Sequence, residues 1–278
     1  MISRNIDEKT VEGFGQEWSA YDQSGLSEAE HRELFDRYFS IFPFADLPDH
    51  AQGFDLGCGS GRWAALVAPL VGLLHCIDPA DAALDVARKK LAGNGNVRFH
   101  LASVDQIPLA DDSQDFGYSL GVLHHIPDTA AALRSCVEKL KIGAPFLLYL
   151  YYRFDNRPAW FKALWSVSDA IRWGISRLPF PIRRSAATTA AALAYLPLAR
   201  TAAWLEKRGR NVSNFPLAPY RHSSFYTLRT DALDRFGTRL EQRFTRAEIE
   251  ALMNKAGLEQ VSFSEKPPFW VAYGYRRR

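Results

Sequence analysis

The sequence is organised around a glycine-rich loop that directly follows a short apolar run. Residues 53–62 read GFDLGCGSGR, with glycines at positions 57, 59 and 61. Alternating glycines behind a strand predict a sharp turn from strand to helix, with a backbone that a ligand can approach closely. We therefore expect a cofactor with a nucleotide part to bind at this loop.

Two common nucleotide-binding loops do not match this stretch. A dinucleotide fingerprint starting at Gly57 needs a small residue at position 62, and the chain has Arg62 there. A P-loop needs Gly-Lys-Ser/Thr behind its glycines to hold phosphates and magnesium, and the chain has none at this place. NAD, FAD and nucleoside triphosphates are therefore disfavoured.

The pattern that remains is D-x-G-x-G-x-G, from Asp55 to Gly61, and further segments follow it in a fixed order. They are an apolar strand over residues 73–77 that ends at Asp78, and the segments 103–109, 115–120 and 121–128. In this order they resemble the class I S-adenosylmethionine (SAM)-dependent methyltransferases, in the small-molecule, type 11-like branch. The resemblance covers residues 50–152 and resumes from residue 244.

The resemblance implies SAM as the cofactor, bound beyond the carboxyl ends of the strands. It implies that the backbone at Gly57 and Gly59 approaches the methionine part of SAM. Asp55 is expected to position the amino group, directly or through water, and Asp78 to accept the ribose hydroxyls.

The adenine contact is less defined, because many relatives have an acidic residue where this chain has Ser103. The Ser103 side chain, the Val104 amide and Asp105 all remain candidates for reading the exocyclic amine. The expected cofactor-binding residues are Asp55, Gly57, Gly59, Gly61, Asp78, Ser103, Val104, Asp105 and Gly121.

A hydroxyl acceptor must lose a proton during methylation, so the site needs a base. His125 follows the fourth predicted strand and is the first candidate, because an unperturbed imidazole titrates at about pH 6.5. His124 is the second candidate. In relatives with such a pair, one ring often only packs or hydrogen bonds to the loop, and this alternative stays open.

Alternating strands and helices over residues 53–152 predict a parallel sheet covered on both faces. By resemblance, the last two strands complete a Rossmann-like, doubly wound sheet of seven mostly parallel strands whose last strand is antiparallel. The predicted regions are an N-terminal head (1–52), the SAM-binding core (53–152), a basic helical lid insertion (153–243) and the completion of the core sheet (244–278).

The head contains a predicted helix over residues 27–42, opened by a capping box at Ser27. Ahead of it, residues 14–21 are aromatic without strand or helix periodicity. We interpret them as packing the head onto the core. The alternative is that they fold over the cofactor, with Trp18 or Tyr21 lining the substrate site.

The insertion has an unusual charge and an apolar helical face. Apolar residues from Trp160 to Leu178 share one face, and an alanine-rich stretch over residues 185–204 is interrupted by Pro197. Residues 153–243 carry 16 Lys and Arg against 6 Asp and Glu, a net charge of +10, whereas the whole chain has +3. This predicts an anionic acceptor, with solubilising surface charge as the alternative.

Residues 220–226, YRHSSFY, gather hydroxyls, an imidazole and a guanidinium within the insertion. We interpret this strip as a substrate-recognition segment, and an ordinary loop is the alternative. The candidates are Arg221 and His222 for substrate binding and Tyr226 for substrate contact or proton handling.

Two other functional classes stay open. A basic insertion with interleaved tryptophans is typical of nucleic-acid methyltransferases, but their base-methylating motifs are missing, so nucleic acid is the less favoured partner. The helix over residues 185–204 could instead lie on anionic lipid, as in an enzyme acting on a lipid-like acceptor. Its alanine content and Pro197 weaken that interpretation.

Composition narrows the cellular setting. Cys58, Cys76 and Cys136 show no C-x-x-C spacing, which indicates reduced thiols and no metal site. The N-terminus has no apolar core of a signal peptide, and no run of about 18 apolar residues predicts a membrane span. We therefore predict a cytoplasmic protein that acts on a small-molecule acceptor. The sequence determines neither the oligomeric state nor the methylated element.

Overall fold

The computed structural model describes residues 5–278, so residues 1–4 of the predicted head lie outside it. The chain divides into two compact units. The sheet unit contains the chain up to Gln23, Arg32–Arg153 and Leu240–Arg278, and the helical unit contains Ser24–His31 and Phe154–Arg239.

The predicted head is thus shared between the two units. The Glu30 carboxylate accepts hydrogen bonds from the Ser224 backbone N–H and the Thr227 hydroxyl, both at 2.8 Å. The ring of Tyr226 occupies the space that a side chain on Gly25 would need. These contacts tie residues 24–31 to the helical unit.

A seven-stranded sheet runs through the sheet unit in the order β3-β2-β1-β4-β5-β7-β6. The strands are β1 (Gln52–Leu56), β2 (Leu73–Asp78), β3 (Val97–Leu101), β4 (Phe116–Leu120), β5 (Pro145–Tyr149), β6 (Leu258–Phe263) and β7 (Val271–Arg276). Strands β1 to β5 pair in parallel, and β7 runs antiparallel to β5 and β6. The predicted sheet is therefore confirmed. Its strand order reverses between β1 and β4, the switch point where such sheets bind ligands.

Helices cover both faces of the sheet, and further helices make up the insertion. The helices in residues 5–278 are α1 (Glu8–Ala20), α2 (Glu28–Phe39), α3 (Ala64–Val67), α4 (Asp81–Lys90), α5 (Thr129–Lys139), α6 (Ala159–Ile175), α7 (Phe180–Ala190), α8 (Leu196–Lys207), α9 (Phe225–Gly237) and α10 (Arg246–Lys255). The core strands are apolar and buried on both faces, as in covered parallel sheets. Helices α5 and α10 contribute to one core cluster, and α2, α3 and α4 contribute to the other.

Side-chain caps define two helix starts. The Asp128 side chain accepts a hydrogen bond from the Ala131 backbone N–H at 2.8 Å, directly before α5. Thr245 and Glu248 form a capping box at the start of α10. Each side chain satisfies a backbone N–H that has no partner within the helix.

Helix α1 was not predicted, because residues 14–21 have no clear apolar periodicity. Asp7 caps it by accepting a hydrogen bond from the Thr10 backbone N–H at 2.8 Å. The helix packs on α4, where Gly15 lies against Ala80 and Ala82. Tertiary packing therefore decides the conformation of a segment whose own propensity is weak.

The alanine-rich stretch of the helical unit is not interrupted at Pro197, so that prediction was wrong. Helix α7 continues through π-helical turns at Ala191–Tyr195 into α8, where Pro197 is the second residue. The wider turns change the hydrogen-bonding pattern just before the proline, which accommodates its ring and missing N–H. No helix in residues 5–278 has the length and apolar character needed to cross a bilayer.

Candidate active site

A cleft of about 130 Å³ opens at the carboxyl ends of β1, β2 and β4 in the sheet unit. It lies at the switch point of the strand order, as the resemblance implied. Of the predicted residues, those that line the cleft are Trp18, Gly57, Gly59, Asp78, Ser103, Val104, Gly121 and His125.

The glycine loop forms one wall of this cleft. Gly57, Gly59 and Gly61 all have positive φ angles, of +74°, +52° and +72°. A side chain at Gly57 would collide with that of Val122, which follows β4. The loop therefore needs glycine at position 57 both for its backbone conformation and for its packing.

Gly59 lies against the aromatic ring of Trp18. A Cβ at position 59 would come within 3.0 Å of the indole Nε1, and φ there is +52°. A side chain at this position would therefore press on Trp18, so a larger residue here also disturbs α1.

Asp78 ends β2 on the wall of the cleft, with both carboxylate oxygens held by the backbone. Oδ2 accepts from the Gly59 N–H at 2.9 Å, and Oδ1 accepts from the Ala80 N–H at 2.8 Å. Burial raises the pKa of Asp78 to about 6, and these two backbone hydrogen bonds oppose the shift. Each oxygen still has acceptor capacity for a hydroxyl of a ligand.

Asp55 is more deeply buried, with an exposed fraction of 1%, and does not line the cleft. Burial raises its pKa to about 8, the Tyr118 hydroxyl opposes the shift, and the charge of Asp78 adds to it. Its Oδ2 has no hydrogen-bond partner in residues 5–278. A buried carboxylate oxygen without a donor leaves room for a ligand amino group or a bridging water.

The adenine candidates separate in the structure. Ser103 and Val104 line the cleft, whereas the exposed Asp105 does not. The Ser103 hydroxyl donates to Asp105 Oδ1 at 2.5 Å, so Asp105 contacts the side chain of a residue that lines the cleft. Gly121 has a φ of +79° and lines the same cleft.

His125 lines the cleft and has a defined hydrogen bond on one ring nitrogen. Its Nδ1 lies 2.7 Å from the carbonyl oxygen of Leu240. Because a carbonyl only accepts, Nδ1 carries the proton in neutral His125, and Nε2 carries the lone pair. The Phe14 ring packs against the imidazole at 5.0 Å between centroids.

The segment around Leu240 makes hydrogen bonds to the loop of residues 124–126, and no sequence pattern pointed to this contact. The Gln242 side-chain amide donates to the Ile126 carbonyl at 2.7 Å, and its backbone N–H donates to the His124 carbonyl at 3.0 Å. Residues 240–242 therefore position His125 from a distant part of the chain.

The structure does not bring His124 to the cleft. Its ring is fully buried and stacks on Tyr151, with 3.9 Å between centroids. Burial holds its pKa well below the usual range, and His125 and Arg243 add to the shift. This environment is that of a packed neutral ring, so the expected catalytic role of His124 is not supported by its position.

The two aromatic candidates of the N-terminal region also separate. Trp18 lines the cleft, but Tyr21 is 2% exposed and does not. The lining residues that the sequence did not single out as site candidates include Phe14, Ser60, Trp63 and Ile126. The buried Ser60 hydroxyl has no hydrogen-bond partner in residues 5–278.

Arg221, His222 and Tyr226 belong to the helical unit. Arg221 Nε donates to Glu206 Oε2 at 2.8 Å, and His222 Nε2 lies 3.0 Å from the same oxygen. Tyr226 is in the first turn of α9, against Gly25. In this structure the predicted recognition strip thus makes hydrogen bonds and packing contacts within its own unit.

Other arginines of the helical unit bind backbone carbonyl groups. Arg200 donates to the carbonyls of Arg221 and Ser223, at 2.7 and 2.9 Å. Arg183 donates to the Gly237 carbonyl at 2.7 Å. Part of the positive charge of this unit therefore joins its helices and loops to one another.

Comparison with known proteins agrees with this geometry. Residues 54–148 match the family model described as a methyltransferase domain. The chain is 33% identical over 94 residues to an O-methyltransferase of Pyrenophora dematioidea, covering 32% of this chain and 35% of that protein. It is 32% identical over 107 residues to the ubiquinone biosynthesis O-methyltransferase of Thiobacillus denitrificans, covering 38% and 44%. The chain thus spans less than half the length of either relative.

The fold is also similar to that of a SAM-dependent methyltransferase from Aquifex aeolicus, with a TM-score of 0.52 at 13% identity over 92% of this chain and 96% of that one. Residues 54–148 are thus similar to a methyltransferase domain, and the seven-stranded sheet has the fold seen in the Aquifex aeolicus protein.

Proposed function

We propose that this chain binds SAM in the cleft of the sheet unit and transfers its methyl group to a small-molecule acceptor. The observation that carries the proposal is the position of Asp78 on the cleft wall, with the Gly59 and Ala80 amides holding its carboxylate. A fixed carboxylate beside a glycine loop at the switch point suits a ribose.

The residues present fit the chemical groups of SAM. Asp78 has acceptor capacity for two hydroxyls, and the buried Asp55 Oδ2 has room for a donor. Ser103 and the Val104 amide are placed to contact the adenine. When bound, SAM supplies a methyl group on a sulfonium centre. The protein supplies alignment, which is the main contribution to such displacements.

His125 is the proposed base. The Leu240 carbonyl fixes the proton on Nδ1, so Nε2 can accept a proton from an acceptor hydroxyl. Phe14 packs against the ring and restricts its orientation. The curated relatives are named as O-methyltransferases, which favours an oxygen acceptor.

The acceptor pocket is expected to be largely apolar. Ile6, Val11, Phe14, Val122 and Ile126 all line the cleft, so an aromatic or aliphatic acceptor body would find complementary surface. An anionic acceptor stays a prediction from the net charge of residues 153–243. Arg221, its named contact, pairs with Glu206 in this structure.

The cofactor site is tested by Asp78→Asn, which keeps the size of the side chain and removes its charge. We expect the affinity for S-adenosylhomocysteine, measured by calorimetry, to fall by about 1–3 kcal/mol, because charge-assisted hydrogen bonds are lost. Asp81→Asn, at the exposed start of α4, is the control and should bind normally. Undiminished binding by Asp78→Asn would remove the cofactor role of Asp78.

The base is tested by His125→Gln in methyl transfer from labelled SAM to a panel of phenols, catechols and carboxylic acids. We expect kcat to fall by about 100-fold or more, with nearly unchanged S-adenosylhomocysteine affinity. His124→Phe, which keeps a stacking ring outside the cleft, is the control and should retain most activity. Equal loss in both variants would contradict a specific role for His125.

A further inference from the structure

Helix α6 of the helical unit carries its large apolar side chains on the outside. Trp160, Leu164, Val167 and Ile171 are 53%, 50%, 61% and 53% exposed. They follow the spacing i, i+4, i+7 and i+11, which places them along one face of the helix. We call these four residues the α6 stripe. A contiguous exposed apolar face of this kind marks a surface that binds something.

The inward side of α6 is anchored by hydrogen bonds and by ring packing. Arg172 is only 8% exposed, donates from Nε to Asp169 Oδ1 at 2.7 Å, and donates from a terminal nitrogen to the Thr238 carbonyl at 2.9 Å. Trp165 packs against Phe154, with ring centroids 5.5 Å apart. Rotating the stripe inward would break these contacts, so they fix the outward orientation of the stripe.

The segment that carries the α6 stripe is predominantly positive. Residues 157–184 contain six arginines and lysines and one acidic residue, Asp169. That acid is already paired with Arg172 and Arg235. Near the carboxyl end of the helix, the Arg177 guanidinium lies 3.9 Å from the ring centroid of Trp173, which is 59% exposed.

The apolar stripe and the positive charge beside it together determine which kind of partner can bind this surface. A second copy of the chain would bring two positively charged surfaces together in a symmetric contact, which is unfavourable. An anionic lipid surface instead matches the apolar stripe with its acyl boundary and the arginines and lysines with its head groups. Tryptophans are also typical of the membrane interface.

We propose that α6 lies flat on the surface of an anionic phospholipid bilayer, with the α6 stripe inserted at the boundary between head groups and acyl chains. None of the four stripe residues lines the cleft, and the proposal does not depend on the proposed methyl transfer. It differs from the sequence-based alternative, which placed the contact on residues 185–204.

The test is co-sedimentation of the full chain with vesicles of phosphatidylcholine and phosphatidylglycerol, and with phosphatidylcholine alone. We expect binding to the anionic vesicles that weakens with added salt, and little binding to the neutral ones. The double variant Leu164→Gln/Ile171→Gln should bind at least about tenfold more weakly, because two inserted apolar side chains are lost. Arg184→Gln should weaken binding by about fivefold.

Ile142→Gln is the matched control, because Ile142 is an apolar residue of the sheet unit with a similar exposed fraction of 59%. It should bind vesicles like the wild type. Circular dichroism and size-exclusion chromatography verify that each variant is folded. Three results would overturn the proposal: no binding to anionic vesicles at low salt, equal binding by wild type and double variant, or self-association that the double variant abolishes.

Discussion

Both units bury charged side chains, but they treat them differently. In the sheet unit, Asp55 and Asp78 are buried with raised pKa values, and Asp55 Oδ2 has no hydrogen-bond partner in the described chain. In the helical unit, the buried Arg172 has a carboxylate and a carbonyl as acceptors. An incompletely satisfied buried carboxyl group indicates a ligand site, whereas a satisfied buried charge indicates architecture.

The two units also differ in where they place apolar side chains. The core strands and helices of the sheet unit have apolar side chains on buried faces, such as the fully buried Leu133 and Leu148. The helical unit places its buried arginine inside and its α6 stripe outside. Hydrophobic periodicity therefore marks buried faces in the sheet unit but an exposed face in α6, and positive charge in the helical unit is partly buried.

Removing the buried arginine is the strongest test of this contrast. We expect Arg172→Met to lower the free energy of unfolding by about 3 kcal/mol, because Asp169 keeps only the more distant Arg235 and the Thr238 carbonyl loses its Arg172 donor. Lys162→Met, at an exposed position of the same helix, should change it by less than about 0.5 kcal/mol. Urea denaturation measures both, and equal stability of the two variants would show that Arg172 is not an architectural charge.

The raised pKa values of Asp55 and Asp78 predict that the free energy of unfolding depends on pH. Asp55 has a folded-state pKa of about 8, above its ordinary value of 3.8, so the folded state retains a proton that the unfolded state has lost. Asp55 therefore contributes a stabilisation of the folded state that is fully present below pH 3.8 and is lost as the pH rises toward 8. Asp78 acts in the same direction only up to about pH 6.

Between pH 6 and 8, Asp55 therefore contributes a loss of about 2 kcal/mol in the free energy of unfolding of the cofactor-free protein. Asp55→Asn should remove most of that slope, and Asp81→Asn should leave it unchanged. Denaturation curves at several pH values measure the effect. A variant with the full wild-type slope would mean that Asp55 is ionised in the folded protein at neutral pH.

The smallest expected effect concerns the α6 stripe. Leu164→Ala should change the free energy of unfolding by less than about 0.5 kcal/mol, because its side chain is already half exposed. Leu148→Ala, in β5, is the positive control, with an expected loss of about 2–5 kcal/mol. A large loss at Leu164 would show that the stripe stabilises the fold, and would contradict its role as a binding surface.

The sequence by itself determined the sheet and the position of the cleft. The glycine loop, Asp78 and the Thr245 capping box depend on neighbouring residues, so a local pattern is sufficient to predict them. The choice of the proposed base was only half determined by the sequence. The His124–His125 pair was visible, but the choice between the two rings depends on the Leu240 carbonyl, which lies 115 residues from His125.

Tertiary structure alone decided the rest. It made a helix of residues 8–20 because α4 offers a packing surface, and it carried a helix past Pro197 through π-helical turns. It directed the α6 stripe outward, because Arg172 finds its partners only in α6 and in the distant chain at Thr238 and Arg239. Periodicity shows that a helix has an apolar face, but long-range contacts determine whether that face is buried, since they fix which side of the helix meets its neighbours.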